Sequence, residues 1–235
     1  MGFWANHVLP RLIERACRSR TILAERRRWI PRAHGDVLEL GVGTGLNLPF
    51  YDAARVAKVT GVDISRPLLR RARPRAEQAP VPVDLIEASA EELPFVAASF
   101  DSVVVTYSLC SMEDPSRAAA EARRVLRPGG DLMFVEHGRA PDRATRWWQR
   151  LLNPFWKHVS GGCRLDRDMP AMLRAAGFEL AELTAGYSGT VRWLSFTYEG
   201  SARPQPRELA AGDADAHDHD HDDHRHHGHD HGHAH

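Results

Sequence analysis

Residues 37–45, Val-Leu-Glu-Leu-Gly-Val-Gly-Thr-Gly, constrain the fold of this chain more than any other stretch. An apolar run of strand length leads directly into three glycines spaced two residues apart, Gly41, Gly43 and Gly45, and an acidic residue, Glu39, precedes them. Glycine permits a left-handed backbone and a close approach of the backbone to a ligand. The pattern therefore predicts a strand that ends in a tight turn, as at the carboxyl end of a parallel strand that binds a nucleoside.

The spacing of the glycines separates two kinds of nucleoside-binding turn. It reads G-x-G-x-G, whereas dinucleotide enzymes use G-x-G-x-x-G to direct the N–H groups of a helix N-terminus at a pyrophosphate. S-adenosyl-L-methionine (SAM) has no phosphate, but it has a sulfonium, an amino-acid end, a ribose and an adenine. An acidic residue before the loop suits an ammonium or sulfonium. We therefore expect Glu39, the three glycines and Asn47 to contact such a cofactor.

Strand-like and helix-like segments alternate through most of the chain. Apolar, β-branched runs of strand length are each followed by a segment with helical spacing. This alternation predicts an α/β fold, namely a Rossmann-like, seven-stranded, mainly parallel sheet with helices on both faces and an antiparallel last strand. We expect strands over residues 37–40, 59–63, 83–87, 102–106, 131–137, 178–185 and 191–199.

The helices of this pattern are predicted from their capping residues and from the turns that end them. Residues 127–130, Arg-Pro-Gly-Gly, are expected to form a turn between a helix and the fifth strand. We expect helices after Ser65, from Asp114 through Leu126, over residues 144–159 and from Asp166 to Gly177.

The two ends of the chain differ from the α/β part. Residues 1–35 are predicted to form an amphipathic helical segment, with apolar residues at i,i+4 spacing from Trp4. Residues 36–200 are long enough for a single domain with one core. Residues 201–235 are expected to be disordered, because from Gly212 onward they are almost entirely His, Asp, Gly and Ala.

A further carboxylate lies at the end of the second predicted strand. Asp63 follows Gly41 by 22 residues, and a carboxylate at this position can accept hydrogen bonds from both ribose hydroxyls. The alternative is an ordinary helix-initiating Asp before Ile64 and Ser65. The spacing favours ribose binding.

Residues 36–137 resemble the class I SAM-dependent methyltransferases. The resemblance rests on Glu-Leu-Gly-Val-Gly-Thr-Gly, Gly-Val-Asp, a Leu-Pro-Phe turn after the third strand and Arg-Val-Leu-Arg-Pro-Gly-Gly. It implies that the turn with Ser89 and Ala90 frames the adenine and that Ile64 and Thr106 also contact the cofactor. Many relatives have Asp where this chain has Ser89, so the resemblance leaves more of the adenine contact to Ala90. S-adenosylhomocysteine is the implied product.

The second half of the chain narrows the resemblance. Its segments Tyr-Ser-Leu-Cys-Ser, Glu-His-Gly, Asn-Pro-Phe-Trp and Gly-Gly-Cys-Arg-Leu are similar to a methyltransferase-like group that includes membrane-associated alkyl-thiol methyltransferases. The chain is also similar to bacterial phospholipid N-methyltransferases and, more distantly, to quinone C-methyltransferases. The implied acceptor is small and apolar or lipid-like, with a thiol or an amine favoured and a quinone carbon as the alternative.

Two residues of this half are candidates for catalysis. His137, at the end of the fifth strand, is the best candidate for a general base, and Tyr107 could orient the acceptor. The alternatives are a loop histidine with an ordinary partner and a tyrosine that only forms a wall for the cofactor. Cys110 and Cys163 are interpreted as small packing residues, because methyl transfer from SAM needs no enzyme nucleophile.

The composition favours a protein of the reducing cytoplasm. There is no run of about 18 apolar residues and no apolar core of a secretion signal. The three cysteines are odd in number and far apart, so they do not suggest a disulfide framework. Basic residues accompany aromatic ones in 143–157, a pattern that is open to core packing beneath a solvated basic face, a lid over an apolar acceptor or a surface that contacts lipid headgroups. The N-terminal segment fits the same interfacial pattern, so peripheral contact with a membrane surface is a further hypothesis. Nucleic acid is not an expected partner, since no basic groove motif is present.

The tail suggests a function of another class. It contains 10 of the 14 histidines and alternates them with aspartates. Imidazoles bind Zn, Ni or Cu, but an alternating tract defines no single coordination shell, so weak binding of several divalent metals is expected. This alternative makes the protein a metal buffer or sensor. The candidate ligands are His217, His219, His221, His224, His226 and His227.

Overall fold

The computed structural model describes residues 19–206, and these contain the predicted seven-stranded sheet. Its order is β3-β2-β1-β4-β5-β7-β6. Neighbouring strands from β3 to β5 are parallel, and β7 is antiparallel to both β5 and β6. The strands are β1 (Gly35–Leu40), β2 (Val56–Asp63), β3 (Val83–Glu87), β4 (Phe100–Thr106), β5 (Leu126–His137), β6 (Phe178–Tyr187) and β7 (Phe196–Pro204).

Five α-helices and two short 3-10 helices surround the sheet in the described part of the chain. Helices cover both faces of the sheet because both faces are apolar. In the middle of β4, Val103, Val104 and Val105 point alternately to opposite faces, and all three are fully buried. The helices are α1 (Arg20–Trp29), α2 (Arg66–Glu77), α3 (Pro115–Val125), α4 (Arg143–Val159) and α5 (Met169–Ala175), with 3-10 turns at Ile30–Arg32 and Leu48–Phe50.

The strand order places the glycine loop at the point where the sheet changes direction. The chain proceeds outward from β1 to β2 and β3, then returns to the other side of β1 with β4 and β5. Ligands of open parallel sheets bind at such a switch point, outside the carboxyl ends of the strands. The loops that follow β1, β2, β4 and β5 therefore share one edge of the sheet, and this edge is the place to look for a site.

The predicted turn at residues 127–130 is wrong, because these residues belong to β5. The helix α3 ends at Val125 and the strand begins at once. A bulge absorbs the extra residues: Leu126 pairs with Phe100, whereas the next paired residue, Asp131, lies opposite Ser102. Gly129 makes this possible with a φ of +81°.

Two further predictions in the last third of the domain are corrected. The N-cap of α5 is Asp168, whose side chain accepts from the backbone N–H of Ala171 at 3.1 Å, whereas Asp166 accepts from Asn153. The last strand begins at Phe196 rather than at residue 191. Residues 191–195 form a turn instead, in which Val191 is exposed while Trp193 and Leu194 pack against the core.

The first described helix, α1, is held against the sheet by its carboxyl end. The Trp29 indole donates to Glu199 on β7 at 2.9 Å, and Arg28 forms an ion pair with the same carboxylate at 2.8 Å. The rest of the predicted N-terminal helix, residues 1–18, lies outside the described residues. Between residues 19 and 206, no helix has the length and apolar content that crossing a membrane requires.

Candidate active site

The three glycines of the loop after β1 have left-handed backbones but different surroundings. Their φ angles are +67°, +56° and +77°. A Cβ on Gly41 would lie 2.3 Å from Ser108 Oγ, and one on Gly45 would lie 2.8 Å from Leu48 Cδ1. A Cβ on Gly43 would meet nothing closer than a backbone oxygen at 3.9 Å. Gly41 and Gly45 therefore serve internal packing, whereas Gly43 borders open space.

The carboxylate of Asp63 connects β2 to this loop. One oxygen accepts from the backbone N–H of Gly43 at 2.9 Å and the other from that of Ser65 at 2.8 Å. Burial raises the pKa of Asp63, and the two backbone hydrogen bonds act against that rise. Ser65 is the residue before α2, as predicted, but its side chain makes no capping hydrogen bond.

A buried polar network lies beneath the loop. Glu39 is 2% exposed and accepts from the Asn47 amide at 2.9 Å and the Tyr51 hydroxyl at 2.8 Å. The same Asn47 amide donates to Thr106 at the end of β4, at 3.0 Å. Burial raises the pKa of Glu39 to about 7, because its partners compensate only partly for lost solvation. The predicted cofactor residues Glu39, Asn47 and Thr106 thus form one cluster.

Arg26 of α1 completes this cluster, and the sequence analysis missed it. Its guanidinium donates to the Asn47 side-chain oxygen and to Thr106 Oγ1, the latter at 2.9 Å. The side chain is 4% exposed, and its Nε is buried without a hydrogen-bond partner. In the sequence Arg26 is one of three consecutive arginines, so only the buried face of an amphipathic helix could have distinguished it.

The predicted adenine contacts lie at the ends of β2 and β3. Ile64 is 74% exposed. Ala90 is buried, and Ser89 uses its hydroxyl to accept from the backbone N–H of Glu91 at 3.1 Å. These residues follow the paired ends of β2 and β3, where Asp63 lies opposite Glu87.

Tyr107 and His137 lie together at the ends of β4 and β5. Their ring centroids are 4.6 Å apart, and Tyr107 has a left-handed backbone with a φ of +55°, which is strained for an aromatic residue. The Tyr107 hydroxyl donates to Glu25 of α1. Burial raises the pKa of Tyr107 well above its usual range, and that of Glu25 also rises for the same reason.

Glu136 organises the loop that follows Tyr107, and the sequence analysis gave it no role. This carboxylate is fully buried and accepts three successive backbone N–H groups, those of Ser108 at 2.7 Å, Leu109 at 2.9 Å and Cys110 at 3.0 Å. Burial raises its pKa, against the effect of the three donors. Its position directly before His137 was the only signal in the sequence.

The two cysteines interpreted as packing residues lie beside His137. Cys163 Sγ is 3.7 Å from His137 Nδ1, and the ligand atoms of Cys110, His137 and Cys163 all lie within 4.8 Å of one another. The contact with Cys110 lowers the pKa of Cys163, and the imidazole adds to this effect. Burial alone would lower the pKa of His137, but the contact with Cys163 raises it overall. The histidine candidates of the tail lie outside the described residues.

Several known proteins are similar in sequence to this chain. A family model described as a methyltransferase domain matches residues 38–134. Thiol S-methyltransferase TMT1B of Rattus norvegicus is 38% identical over 152 residues, which are 63% of this chain and 61% of that protein. Phosphatidylethanolamine N-methyltransferase of Cereibacter sphaeroides is 45% identical over 105 residues, 44% of this chain and 51% of that protein. Demethylmenaquinone methyltransferase of Thermus thermophilus is 32% identical over 170 residues, 64% of this chain and 77% of that protein.

Solved structures agree on the fold. A protein of Bacillus halodurans that is described as a methyltransferase superposes with a TM-score of 0.64 at 21% identity, covering 78% of this chain and 98% of that one.

The chain spans 61% of the thiol enzyme and 51% of the phospholipid enzyme. Because the domain model, the Thermus relative and the sheet order agree, this chain belongs to the SAM-dependent methyltransferases.

Proposed function

We propose that this protein transfers a methyl group from SAM to the sulfur of a small apolar thiol. The main observation in favour of SAM as the methyl donor is the loop at Gly43. The position of a Cβ on this residue is open, and Asp63 holds its backbone. SAM supplies a methyl group already activated by a sulfonium. The protein then has to hold the donor, align the acceptor and exclude water.

The described residues fit the parts of SAM. Asp63, at the end of β2, has the carboxylate that two ribose hydroxyls need. The amino-acid end carries an ammonium and a carboxylate, which match Glu39 and the guanidinium of Arg26. Ile64 offers an apolar face, and the turn at Ala90 a polar edge, for the adenine. Each of these roles is a proposal that a single substitution can test.

The proposal of a thiol acceptor is supported by the elements around Tyr107, namely α1, His137 and the two cysteines. The helix α1 covers Tyr107 through the Glu25–Tyr107 hydrogen bond, which helps to exclude water. Beyond the Tyr107 ring lie His137 and two thiols, a soft environment for a sulfur nucleophile. The relative from Rattus norvegicus is a thiol S-methyltransferase, which supports the same acceptor. An amine or a quinone carbon, as in the names of the other two relatives, is the alternative.

A transfer assay decides between these acceptors. The purified protein is incubated with methyl-labelled SAM and, separately, with 1-butanethiol, phosphatidylethanolamine vesicles and a demethylquinone. We expect label in the thioether and little or none in the other products. Label in the phospholipid or quinone alone would reject the thiol and keep methyl transfer, whereas no SAM binding by calorimetry would reject the methyltransferase function itself.

We also propose that α4 rests on an anionic membrane surface. This helix is inverted relative to an ordinary surface helix, because its buried side is polar: Thr145, Gln149 and Asn153. The Gln149 amide bonds two backbone groups near Gly138 and Ala140, at 3.1 and 3.0 Å, so the polar side is fully used by the protein.

The outward side of α4 carries large apolar side chains beside basic ones. Five of them are exposed by between 38% and 71%, a contiguous apolar surface that water alone does not explain. Arginines on the same helix suit lipid phosphates. Trp156, which the sequence grouped with this surface, instead packs inward against Trp193 at 5.6 Å between ring centroids. The exposed apolar residues are Trp147, Trp148, Leu151, Phe155 and Val159.

Flotation with vesicles tests this surface. The Leu151→Glu/Phe155→Glu double variant should remain in the soluble fraction with phosphatidylglycerol vesicles, whereas the unmodified protein should float with them. Val96→Glu is the matched control, since Val96 is 79% exposed and lies outside α4. Equal flotation of the double variant and the control would contradict the proposal.

A further inference from the structure

The cluster formed by Cys110, His137 and Cys163 has the composition of a metal site. It combines two cysteine sulfurs and one imidazole. Each of the three residues belongs to a different loop or strand end. Two thiolates with an imidazole select zinc among the common divalent ions, because zinc accepts mixed sulfur and nitrogen ligands in a tetrahedron.

The distances agree with that geometry. A tetrahedral zinc with Zn–S near 2.3 Å and Zn–N near 2.1 Å separates its sulfur and nitrogen ligands by about 3.6 Å. The observed separation of Cys163 Sγ and His137 Nδ1 is 3.7 Å, and the farthest pair of ligand atoms in the cluster is within 4.8 Å.

Hydrogen bonds hold the backbone around the cluster in place before any ion binds. The N–H of Arg164 donates to the Cys110 carbonyl at 2.8 Å, which joins the two cysteine segments directly. Glu136 holds the Cys110 N–H at 3.0 Å, and Arg167 donates to the Met112 carbonyl at 2.6 Å. Ligands on a rigid support do not have to be ordered when the ion binds.

Two observations beyond the ligand atoms point to an occupant. The Trp156 indole N–H is buried without a hydrogen-bond partner, and its side chain packs against the core cluster that contains Cys163. A buried N–H of this kind is costly unless an acceptor, such as a metal-bound thiolate, is available to it. A surface cleft of about 280 Å³ also includes the chain neighbours of both cysteines among its walls, namely Ser111, Gly162 and Arg164.

We propose that Cys110, His137 and Cys163 bind one zinc ion and leave its fourth position open for the sulfur of the acceptor thiol. Three protein ligands with one free position are typical of catalytic rather than structural zinc. The identity of the fourth ligand rests on the proposed function, whereas the metal site itself does not.

The chemistry that this site adds is ionisation of the acceptor. The thiol R–SH forms a Zn–S bond and its proton passes to water, because a coordinated thiol is deprotonated. A sulfur lone pair then forms the new S–CH₃ bond as the sulfonium–CH₃ bond of the donor breaks, and the bonding pair stays on the donor sulfur. The neutral thioether is a poorer ligand than the thiolate and leaves the zinc.

Cobalt substitution tests the site on the full chain. The His-rich tail is also expected to bind metals, so metal content alone is not decisive, but only thiolate ligands give a sulfur-to-cobalt charge-transfer absorption. We expect this band at about one equivalent of Co²⁺, its loss in Cys110→Ser, Cys163→Ser and His137→Ala, and its retention in Cys17→Ser, the matched control for the third cysteine. Addition of 1-butanethiol should intensify the band, and methyl butyl sulfide should not.

Several results would overturn the inference. If the unmodified protein shows no charge-transfer band, the inference is refuted whatever the variants do. A band that survives Cys163→Ser would show that the cobalt binds elsewhere. Mass spectrometry after alkylation without reductant is the third measurement: a Cys110–Cys163 disulfide in place of metal makes the pair a redox element. SAM binding measured on the same samples separates the two proposals, since its absence refutes the methyltransferase function and leaves the band unaffected.

Discussion

The carboxylate of Asp63 accepts the backbone N–H of Gly43 at 2.9 Å, so the end of β2 holds the middle of the glycine loop. The residue proposed to bind ribose is therefore also the residue that shapes the loop in this structure. Both oxygens already have backbone donors, from Gly43 and Ser65. Each carboxylate oxygen has a second lone pair, so the ribose hydroxyls can bind without displacing them.

Asp63→Ala should therefore affect binding more than stability. The substitution removes two hydrogen bonds to backbone, which cost about 1–2 kcal/mol of unfolding free energy, and all contacts to ribose. We expect SAM affinity measured by calorimetry to fall at least about tenfold. Asp84→Ala is the control, because Asp84 forms only an exposed ion pair with Lys58. Unchanged affinity in Asp63→Ala would remove this residue from the cofactor site.

The glycine loop allows a comparison of two matched substitutions. Gly41→Ala combines a φ of +67° with a contact of 2.3 Å to Ser108, so it should destabilise the fold strongly. Gly43→Ala has open space around its Cβ and should cost only the left-handed strain, about 1–2 kcal/mol. If the open space is for the cofactor, Gly43→Ala should nonetheless abolish SAM binding. Thermal unfolding and calorimetry on both variants distinguish the two effects.

The sequence predicted the parts of this site that are local in the chain. The glycine loop, Asp63 and the seven strands follow from spacing and β-branched runs, which depend on neighbours within a few residues. The error at residues 127–130 has the same origin, since Arg-Pro-Gly-Gly is a turn in most contexts and becomes a bulge only when β4 pairs with it. In the same way, the pairing of β7 with β5 determines where β7 begins.

The parts that were missed are contacts between distant residues. Arg26 and Thr106 are 80 residues apart, and Glu25 and Tyr107 are 82 apart. Apart from the helical periodicity of α1, nothing in the neighbourhood of Arg26 indicates that it turns inward while Arg27 remains exposed. Likewise Cys163 lies 26 residues from His137, and only the folded loops bring them together.

Glu39 should make stability depend on pH. Its pKa rises from 4.5 in the unfolded chain to about 7 in the fold, so between these values only the folded state holds the proton. Unfolding free energy must then fall as pH rises through this window, by about 3 kcal/mol in total, and level off only once the pH has passed above the folded pKa. Glu39→Gln should remove that fall, as urea unfolding at several pH values from 4.5 to 8 will show.

A matched substitution isolates the effect of Glu39. Glu77→Gln changes an exposed carboxyl on α2 and should keep the pH dependence of the unmodified protein. The difference between the two variants cancels the contributions of all other titrating groups, including the tail histidines. Parallel curves for Glu39→Gln and Glu77→Gln would show that Glu39 titrates normally in the fold.

Arg26 should determine whether α1 stays on the site. Arg26→Met keeps an apolar stem of similar length but removes the donor that Asn47 and Thr106 share. Leaving their oxygens without this donor costs about 1–3 kcal/mol, only partly offset because the unpartnered Nε disappears as well. We expect lower unfolding free energy in urea and faster proteolytic cleavage within residues 20–29, before the rest of the domain is cut.

The neighbouring arginine provides the control for this prediction. Arg27 is exposed and contacts only the face of Phe50, with 5.9 Å between the guanidinium carbon and the ring centroid. Arg27→Met should change stability by less than about 1 kcal/mol and leave the cleavage rate as it is. Because Arg26 also faces the proposed amino-acid end of SAM, added SAM should protect α1 in the unmodified protein and in Arg27→Met, but not in Arg26→Met. Equal protection of both variants would show that α1 is held by Trp29 and Glu25 and that Arg26 does not contact the cofactor.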